Sequence, residues 1–238
     1  MLDDLTNLQS LLKDPTLVAT KGYLAGEWCE GDNAQTFPVY NPARGDIIAD
    51  VSDISRAQTA EAISIAEKAQ KIWADRPAKE RSNIMRIWYN LMMENQEDLA
   101  TILTAEQGKP LEEAKGEIGY GASFIEFFAE EAKRIYGETI PGHQADKRIT
   151  VLKQPIGVAA SITPWNFPNA MITRKAGPAL AAGCAFVARP AAETPLSALA
   201  MGVLADRAGL PKGILSIIPS SRSSDIGKEF CENPIIRK

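Results

Sequence analysis

The feature that most constrains the fold is a regular alternation of short apolar runs with longer segments between Val158 and Ile218. The apolar runs have the length of buried strands, and the segments between them have the length of helices. This alternation predicts a βαβαβ unit with three parallel strands, which is half of a dinucleotide-binding sheet. Because ligands of such sheets bind at the carboxyl ends of the strands, a binding site is expected in the turns that follow them. The five segments are 158–162, 168–182, 184–188, 194–208 and 214–218.

The first of these turns, residues 161–168, has the sequence Ser-Ile-Thr-Pro-Trp-Asn-Phe-Pro. Pro164 and Pro168 each fix a backbone φ angle, so the turn is expected to be stiff and to hold the Asn166 side chain in one direction before a substrate arrives. A fixed amide is a suitable donor to a developing alkoxide. The residues alone leave a second interpretation open, in which Asn166 caps a helix that starts near Pro168.

The chain before this unit is expected to be mainly helical after some short strands in residues 22–52. Ser55 and Gln58 form a capping-box signal for a first helix, and Pro77 is expected to start a second one. The apolar side of the second helix is predicted to be buried. Its residues are Ile84, Ile87, Trp88, Leu91, Leu99, Ile102 and Leu103.

A third helix is predicted from about Leu111 to Ile135. Its three phenylalanines are interpreted as packing aromatics, because no basic residues lie among them to form a stacking platform for nucleic-acid bases. They are Phe124, Phe127 and Phe128.

The composition excludes several classes of partner. The 238 residues carry a net charge of −4 without a clustered basic face, so no nucleic-acid partner is expected. No apolar run approaches the roughly 18 residues that span a bilayer, and no membrane partner is expected. Residues 1–20 contain acidic residues but no Arg, and their apolar residues are scattered, which predicts a cytoplasmic protein.

Cysteine and histidine usage argues against a metal site. Cys29, Cys184 and Cys231 are widely spaced and form no CxxC pair, and His143 is the single histidine. Cys184 has apolar neighbours, so it is expected to be a buried, inert thiol. None of the three cysteines has an evident activating base, and none is assigned a catalytic role.

Five segments, in the same order along the chain, carry a resemblance to a known family. They are residues 41–43 (Asn-Pro-Ala), 106–110 (Glu-Gln-Gly-Lys-Pro), 136–146, 163–168 (Thr-Pro-Trp-Asn-Phe-Pro) and 174–184. Together they resemble the NAD(P)-dependent aldehyde dehydrogenases, and most of all the succinate-semialdehyde dehydrogenase branch. The likeness extends over nearly the whole chain.

The resemblance implies an α/β, aldehyde-dehydrogenase-like fold, in which a partial Rossmann-type parallel sheet is preceded by a helical region and an oligomerisation hairpin. Residues 1–135 would be the amino-terminal strands and helices of the cofactor-binding domain, 136–155 the hairpin, and 156–238 the first part of the dinucleotide-binding sheet. Residues 147–153 alternate charged and apolar side chains, as an exposed strand does. In the family this hairpin takes part in subunit association, so a homo-oligomer is expected for the full-length form.

The resemblance also implies roles for two polar residues. The family's counterpart of Asn166 donates its side-chain amide to the oxyanion that forms when a thiolate attacks the aldehyde. The counterpart of Arg174 in succinate-semialdehyde dehydrogenases binds the distal carboxylate of the substrate, for which a guanidinium fork is well suited. The alternative for Arg174 is a surface residue on a helix.

The cofactor is expected to lie against the first turn and against the loop after the second strand. By resemblance, the residues that bind it are Ile162, Thr163, Pro164, Trp165, Arg189, Ala192 and Glu193. Arg189 stands where the family usually has Lys, and Ala192 stands at the ribose-binding Glu or Ser, with the carboxylate displaced to Glu193. Such a lost hydrogen bond weakens binding by about 1.5–3 kcal/mol. Ala192 would not repel a 2′-phosphate as Glu would, which favours NADP slightly over NAD.

Members of the family are considerably longer, and their nucleophilic Cys, general-base Glu and catalytic domain lie beyond the part that matches. The chain is therefore expected to be an amino-terminal portion that is inactive alone and leaves an apolar edge or face of its half-sheet uncovered. One hypothesis is the amino-terminal portion of an enzyme that oxidises succinic semialdehyde to succinate. The alternative is a non-catalytic, truncated product that binds nucleotide weakly or associates with full-length subunits.

Overall fold

The computed structural model describes residues 4–238. The elements follow one another in this order: α1 (Asp4–Ser10), β1 (Gly22–Leu24), β2 (Glu27–Cys29), β3 (Thr36–Tyr40), β4 (Ile47–Ser52), α2 (Arg56–Ala74), α3 (Ala78–Glu94), α4 (Gln96–Gln107), α5 (Leu111–Glu131), β5 (Glu138–Pro141), β6 (Arg148–Val151), β7 (Val158–Ile162), α6 (Ala170–Ala182), β8 (Ala185–Arg189), α7 (Pro195–Arg207), β9 (Leu215–Ile217) and α8 (Ser223–Glu232). No helix in this range is long and apolar enough to cross a membrane.

The main sheet has five strands in the order β2-β1-β9-β8-β7. Strands β7, β8 and β9 are parallel, while β1 joins β9 in antiparallel fashion and β2 pairs with β1. The predicted βαβαβ unit is therefore confirmed, with α6 and α7 as its two crossover helices. All five residues of β8 are buried, as expected for a parallel strand that is covered on both faces.

Local signals set the ends of the crossover helices. Gly183 ends α6 in the left-handed conformation (φ 93°), and Pro195 occupies the first turn of α7. Gly209, also left-handed (φ 79°), follows α7. Because both helices run back from the carboxyl ends of the strands, their amino-termini lie at that edge of the sheet.

Helices α3, α4 and α5 pack together as a helical layer, and α5 packs closely against α6. A methyl group added at Gly121 would lie 2.2 Å from the Asn169 side-chain oxygen, and one at Gly177 would lie 3.2 Å from the Phe124 carbonyl oxygen. The two glycines therefore allow α5 and α6 to approach more closely than residues with a Cβ atom would.

The second and third predicted helices differ from the structure in their boundaries. The helix expected from Pro77 onward is divided at Asn95 (φ −104°, ψ 19°) into α3 and α4. The Asn95 side-chain amide donates to the Leu91 carbonyl oxygen at 2.8 Å, and such local bonding competes with helix continuation. The third helix ends as an α-helix at Glu131 and continues only as a 3₁₀ turn, Ala132–Arg134.

Two apolar residues are more exposed than predicted. Ile87 is 47% exposed, because the buried face of α3 is formed by Met85, Trp88 and Met92. Phe127 is 58% exposed and contacts the ring of Phe128 edge-on at 5.1 Å. An outward face of α5 is therefore apolar.

Strands β5 and β6 form a separate antiparallel hairpin whose eight residues are all exposed. This confirms an exposed strand within residues 147–153. The role of the hairpin in subunit association remains a prediction, as does the division of the chain into three parts.

The outer edge of β7 is partly paired by the last residues described. The Arg237 backbone N–H donates to the Val158 carbonyl oxygen at 2.9 Å, and the Ala160 N–H donates to the Lys238 carbonyl oxygen at 2.9 Å. Val158 also forms a parallel bridge with Ile236. Residues 236–238 therefore run alongside β7 and parallel to it.

Candidate functional site

The turns after β7 and β8 lie side by side at the carboxyl edge of the sheet. The Thr163 backbone N–H donates to the Arg189 carbonyl oxygen at 3.1 Å, which ties the end of β7 to the end of β8. Ile162 is 49% exposed and Trp165 is 55% exposed, and Pro164 is exposed as well. Ile162, Pro164 and Trp165 are therefore accessible beside the end of β8, whereas Thr163 is buried at 3% exposed.

Asn166 is exposed in this turn, and its side-chain amide makes no hydrogen bond to any residue in 4–238. The interpretation of Asn166 as a helix cap is wrong, because α6 begins at Ala170 and Asn169 is its N-cap residue. Asn169 is itself fully buried and makes no side-chain capping bond. The Asn166 amide is thus not engaged in holding the helix.

A glutamate from α5 takes over the capping of α6. One carboxylate oxygen of Glu117 accepts the backbone N–H groups of Asn169 and Ala170 at 2.9 and 3.2 Å. The Glu117 side chain is only 1% exposed. A carboxylate is stabilised there by the unpaired N–H groups and the positive end of the helix dipole.

Lys109, in the loop between α4 and α5, links this cap to the Asn166 turn. Its ammonium nitrogen lies 2.5 Å from the second oxygen of Glu117 and donates to the Asn166 carbonyl oxygen at 3.0 Å. It also lies 3.9 Å from the ring centroid of Phe167, a distance at which a cation and an aromatic face attract each other. One ammonium group therefore contacts both the residue before and the residue after the 166–167 peptide bond.

A second glutamate caps the other crossover helix. The two carboxylate oxygens of Glu106 accept the N–H groups of Leu196 and Ser197, both at 2.7 Å, in the first turn of α7. No basic side chain in residues 7–238 forms an ion pair with it. Burial raises the pKa of Glu106 from 4.5 to about 8, although its hydrogen bonds to the backbone oppose that change.

The sequence did not identify Glu106, Lys109 or Glu117 as parts of the site. Residues 106–110 were recognised only as one of the segments that resemble a known family. Glu117 is 52 residues away from Asn169, and Glu106 is 90 residues away from Leu196. No local spacing signals such contacts.

Arg189 is turned inward at the end of β8. It is 7% exposed, and one of its terminal nitrogens donates to the Ser220 carbonyl oxygen at 2.9 Å, in the connection between β9 and α8. Burial lowers the pKa of Arg189, and the charges of Glu193 and Asp53 act in the opposite direction. Ala192 is half-buried and Glu193 is exposed in the same loop.

These residues fit a dinucleotide in two respects. The buried Nε atom of Arg189 has no hydrogen-bond partner within residues 4–238, so a donor remains for a ligand group. The carboxyl end of β7 presents Ile162, Pro164 and Trp165 to solvent, and together they form an apolar surface on which a nucleotide can lie.

Arg174 lies in the second turn of α6 and is exposed. Its guanidinium carbon is 5.8 Å from the ring centroid of Phe124, and it forms no ion pair in the described part of the chain. Arg174 and Lys175 line a groove of about 600 Å³ beside β7, but Asn166 does not line that groove. The structure therefore does not join Arg174 and Asn166 in one cavity.

The cysteines occupy three different environments. Cys184 is 3% exposed, which confirms the predicted buried thiol. Cys29 is half-buried, and burial followed by the charges of Glu27 and Glu61 raises its pKa. Cys231 is exposed. Among the described residues no group of three or more His, Cys, Asp or Glu side chains is arranged to hold a metal ion.

Comparison with known proteins shows which family the sequence matches. Residues 28–238 match the model of the aldehyde dehydrogenase family. The chain is 60% identical over 227 residues to a glutarate-semialdehyde dehydrogenase of Pseudomonas aeruginosa, covering 95% of the chain and 47% of that protein. It is 56% identical, with the same coverage of both chains, to the succinate-semialdehyde dehydrogenase (NADP+) GabD of Escherichia coli.

A solved structure gives the same result. The crystal structure of succinate-semialdehyde dehydrogenase from Burkholderia pseudomallei superposes with a TM-score of 0.94 at 55% identity, covering 95% of this chain and 47% of that one. The chain thus spans about half the length of the relatives that it matches.

Proposed function

Because the chain belongs to the aldehyde dehydrogenase family, we propose that it is the amino-terminal portion of an NAD(P)-dependent semialdehyde dehydrogenase. The substrate would be a small aldehyde with a distal carboxylate, with succinic semialdehyde oxidised to succinate. The observation that carries the proposal is the Asn166 turn, in which an exposed, unpaired amide stands on a backbone held by Lys109 and by the Glu117 cap.

In this proposal Asn166 donates its side-chain amide to the aldehyde oxygen as negative charge develops there. A donor that is already oriented needs no reorganisation during the reaction, and loss of one such donor costs about 2.7–4 kcal/mol. The attacking thiolate and the general base would come from a further segment, because no cysteine of this chain has an activated environment.

Arg174 is proposed to bind the distal carboxylate of the substrate. Its exposure and its lack of an ion pair within residues 4–238 leave its guanidinium able to form a two-pronged bond with a carboxylate. The names of the relatives include both glutarate and succinate semialdehydes, which share that group and differ in chain length.

The cofactor would be held at the turns after β7 and β8. When bound, the nicotinamide accepts a hydride from the aldehyde carbon. The residues proposed to hold the dinucleotide are Ile162, Thr163, Pro164, Trp165, Arg189, Ala192 and Glu193. The neutral Ala192 beside Arg189 favours NADP slightly over NAD.

The exposed β5–β6 hairpin is proposed to join subunits of a homo-oligomer in the full-length form. The match to about half of each relative also supports a second candidate function. In that case the chain would bind nucleotide weakly or associate with full-length subunits without catalysing a reaction.

The test compares this chain alone with a fusion, called here the completed enzyme, in which the carboxy-terminal half of the P. aeruginosa relative follows Lys238. Each protein is mixed with succinic or glutaric semialdehyde and NAD or NADP, and the absorbance of the reduced nicotinamide is followed. We expect turnover on the order of 1 s⁻¹ or more for the completed enzyme only. Similar turnover by the chain alone would contradict the proposed need for a further segment, and a folded but inactive fusion would favour the non-catalytic function.

A further inference from the structure

The direction of the Asn166 amide depends on the peptide bond between residues 166 and 167. Pro164 and Pro168 restrict their own φ angles, and Pro168 also biases the backbone of Phe167, but neither ring fixes the ψ angle of Asn166 at that peptide bond. The Cβ atom and the carbonyl group of Asn166 share one Cα atom. A contact that fixes the carbonyl therefore also limits where the side chain can point.

Lys109 supplies such a contact. Its ammonium donates to the Asn166 carbonyl oxygen at 3.0 Å and lies 3.9 Å from the Phe167 ring centroid, so it holds both sides of the peptide bond. The Lys109 side chain is only 10% exposed and ion-paired to Glu117, which restricts the ammonium to one place. Glu117 in turn holds the start of α6 through the N–H groups of Asn169 and Ala170.

From this geometry we infer that Lys109 is a positioning residue for Asn166, and that Glu117 holds Lys109 in place for that purpose. The inference rests on the proposed function, in which the Asn166 amide is the oxyanion donor. Lys109 itself is not proposed to touch the substrate, because its contacts are with the backbone, the Phe167 ring and a buried carboxylate.

The kinetic test uses the completed enzyme with Lys109→Met, Lys109→Arg, Asn166→Ala and the double variant Lys109→Met/Asn166→Ala. We expect Lys109→Met to lower kcat about ten- to a hundredfold, less than the loss of the donor itself, with little change in the KM for the aldehyde. Lys109→Arg keeps a charged donor and is expected to recover most of kcat. In the Asn166→Ala background, Lys109→Met is expected to cost nothing further in kcat, because the two residues act through one amide.

Lys115→Met is the matched control. Lys115 lies on α5 and pairs with Glu97 at 2.9 Å and with Glu112 at 3.1 Å, away from the Asn166 turn. We expect this variant to keep the kcat of the parent. A spectroscopic readout on the chain alone complements the kinetics. In a ¹⁵N-asparagine-labelled sample, the Asn166 side-chain amide signals are expected to shift or broaden in Lys109→Met and to stay unchanged in Lys115→Met.

The outcomes separate the two claims. Full activity of Asn166→Ala would remove the proposed function of that amide and the positioning role with it. A large loss in Asn166→Ala combined with a parent-like kcat in Lys109→Met would overturn only the positioning role. Equal losses from Lys109→Met in both backgrounds would also overturn it, because they would show a general structural effect.

If Lys109→Met fails to fold, Glu117→Gln provides the test. Gln retains an oxygen for the α6 N–H groups but removes the charge that holds the ammonium. We expect a lower kcat with an unchanged KM for the aldehyde. A folded Glu117→Gln enzyme with the parent's kcat would overturn the inference.

Discussion

The two crossover helices begin in the same way but differ in what holds the cap. In both, a glutamate from the helical layer accepts two backbone N–H groups of the first turn, Glu117 at α6 and Glu106 at α7. Glu117 is ion-paired with Lys109, whereas Glu106 is buried with an elevated pKa and has no ion pair in the described part of the chain. The comparison shows that a glutamate side chain without an ion pair is enough to cap a helix here.

The additional lysine is therefore explained by the turn before α6 rather than by the helix. That turn carries Asn166, and Lys109 contacts its backbone directly. The turn before α7 carries Ala192 and Glu193, and no lysine contacts it in the same way within residues 4–238. In the proposed function, the first turn carries the amide that donates to the aldehyde oxygen, and the second contributes to the cofactor site.

The largest expected effect is on stability at α6. Glu117→Ala leaves Lys109 without its counter-ion in a largely buried place, in addition to two uncapped N–H groups. We expect a loss of about 3–5 kcal/mol in the free energy of unfolding of the chain, measured by urea denaturation. Glu106→Ala leaves only uncapped N–H groups at α7 and should cost less, about 1–3 kcal/mol. Equal losses would contradict the distinction between the two caps.

The next effect is on catalysis at the two turns. Asn166→Ala in the completed enzyme is expected to lower kcat by about 10²–10³, or 2.7–4 kcal/mol, at saturating cofactor. Glu193→Ala, in the other turn, is expected to change mainly the KM for the nucleotide. A change in kcat of the same size from both variants would remove the difference in their roles.

A smaller effect is expected at Arg174, further along α6. Arg174→Ala should raise the KM for succinic semialdehyde by about ten- to a hundredfold, because a charge-assisted bond worth about 1.5–3 kcal/mol is lost. The KM for butanal, which lacks the carboxylate, should change little. An equal rise for both aldehydes would indicate that Arg174 is a surface residue with no part in carboxylate binding.

The smallest expected effect is a pH dependence that arises at α7. The folded-state pKa of Glu106, about 8, lies above its ordinary value of 4.5, so the folded chain binds more protons than the unfolded chain between those values. Stability is therefore expected to fall as the pH rises through this window and to level off above it. The expected loss is about 1 kcal/mol between pH 7 and pH 8. Glu106→Gln should remove this slope in urea denaturation, and an unchanged slope would assign it to other groups.

The parts of this arrangement that the sequence predicted are those with local signals. The βαβαβ unit followed from the lengths of the apolar runs and of the segments between them, from Val158 to Ile218. The capping box of Ser55 and Gln58 in α2 was likewise predicted and is present. Each of these signals lies within a few residues of the feature that it specifies.

The parts that the sequence did not predict depend on contacts between distant segments. Glu117 displaces the cap that was considered for Asn166, and it acts from another helix 52 residues before the bond that it makes. The sequence did not predict the break at Asn95. There a side-chain bond to the Leu91 carbonyl oxygen competes with a continuous helix, and the sequence does not show which of the two forms. The exposure of Phe127 depends on which face of α5 meets α6, which helical spacing alone does not determine.

The most direct test of the account is a crystal structure of the completed enzyme with a bound aldehyde substrate or analogue. The account predicts that the Asn166 side-chain nitrogen lies about 2.7–3.1 Å from the oxygen derived from the aldehyde, with Lys109 still bound to the Asn166 carbonyl. An Asn166 amide that points into bulk water, while the bound aldehyde oxygen lies against other donors, would contradict it.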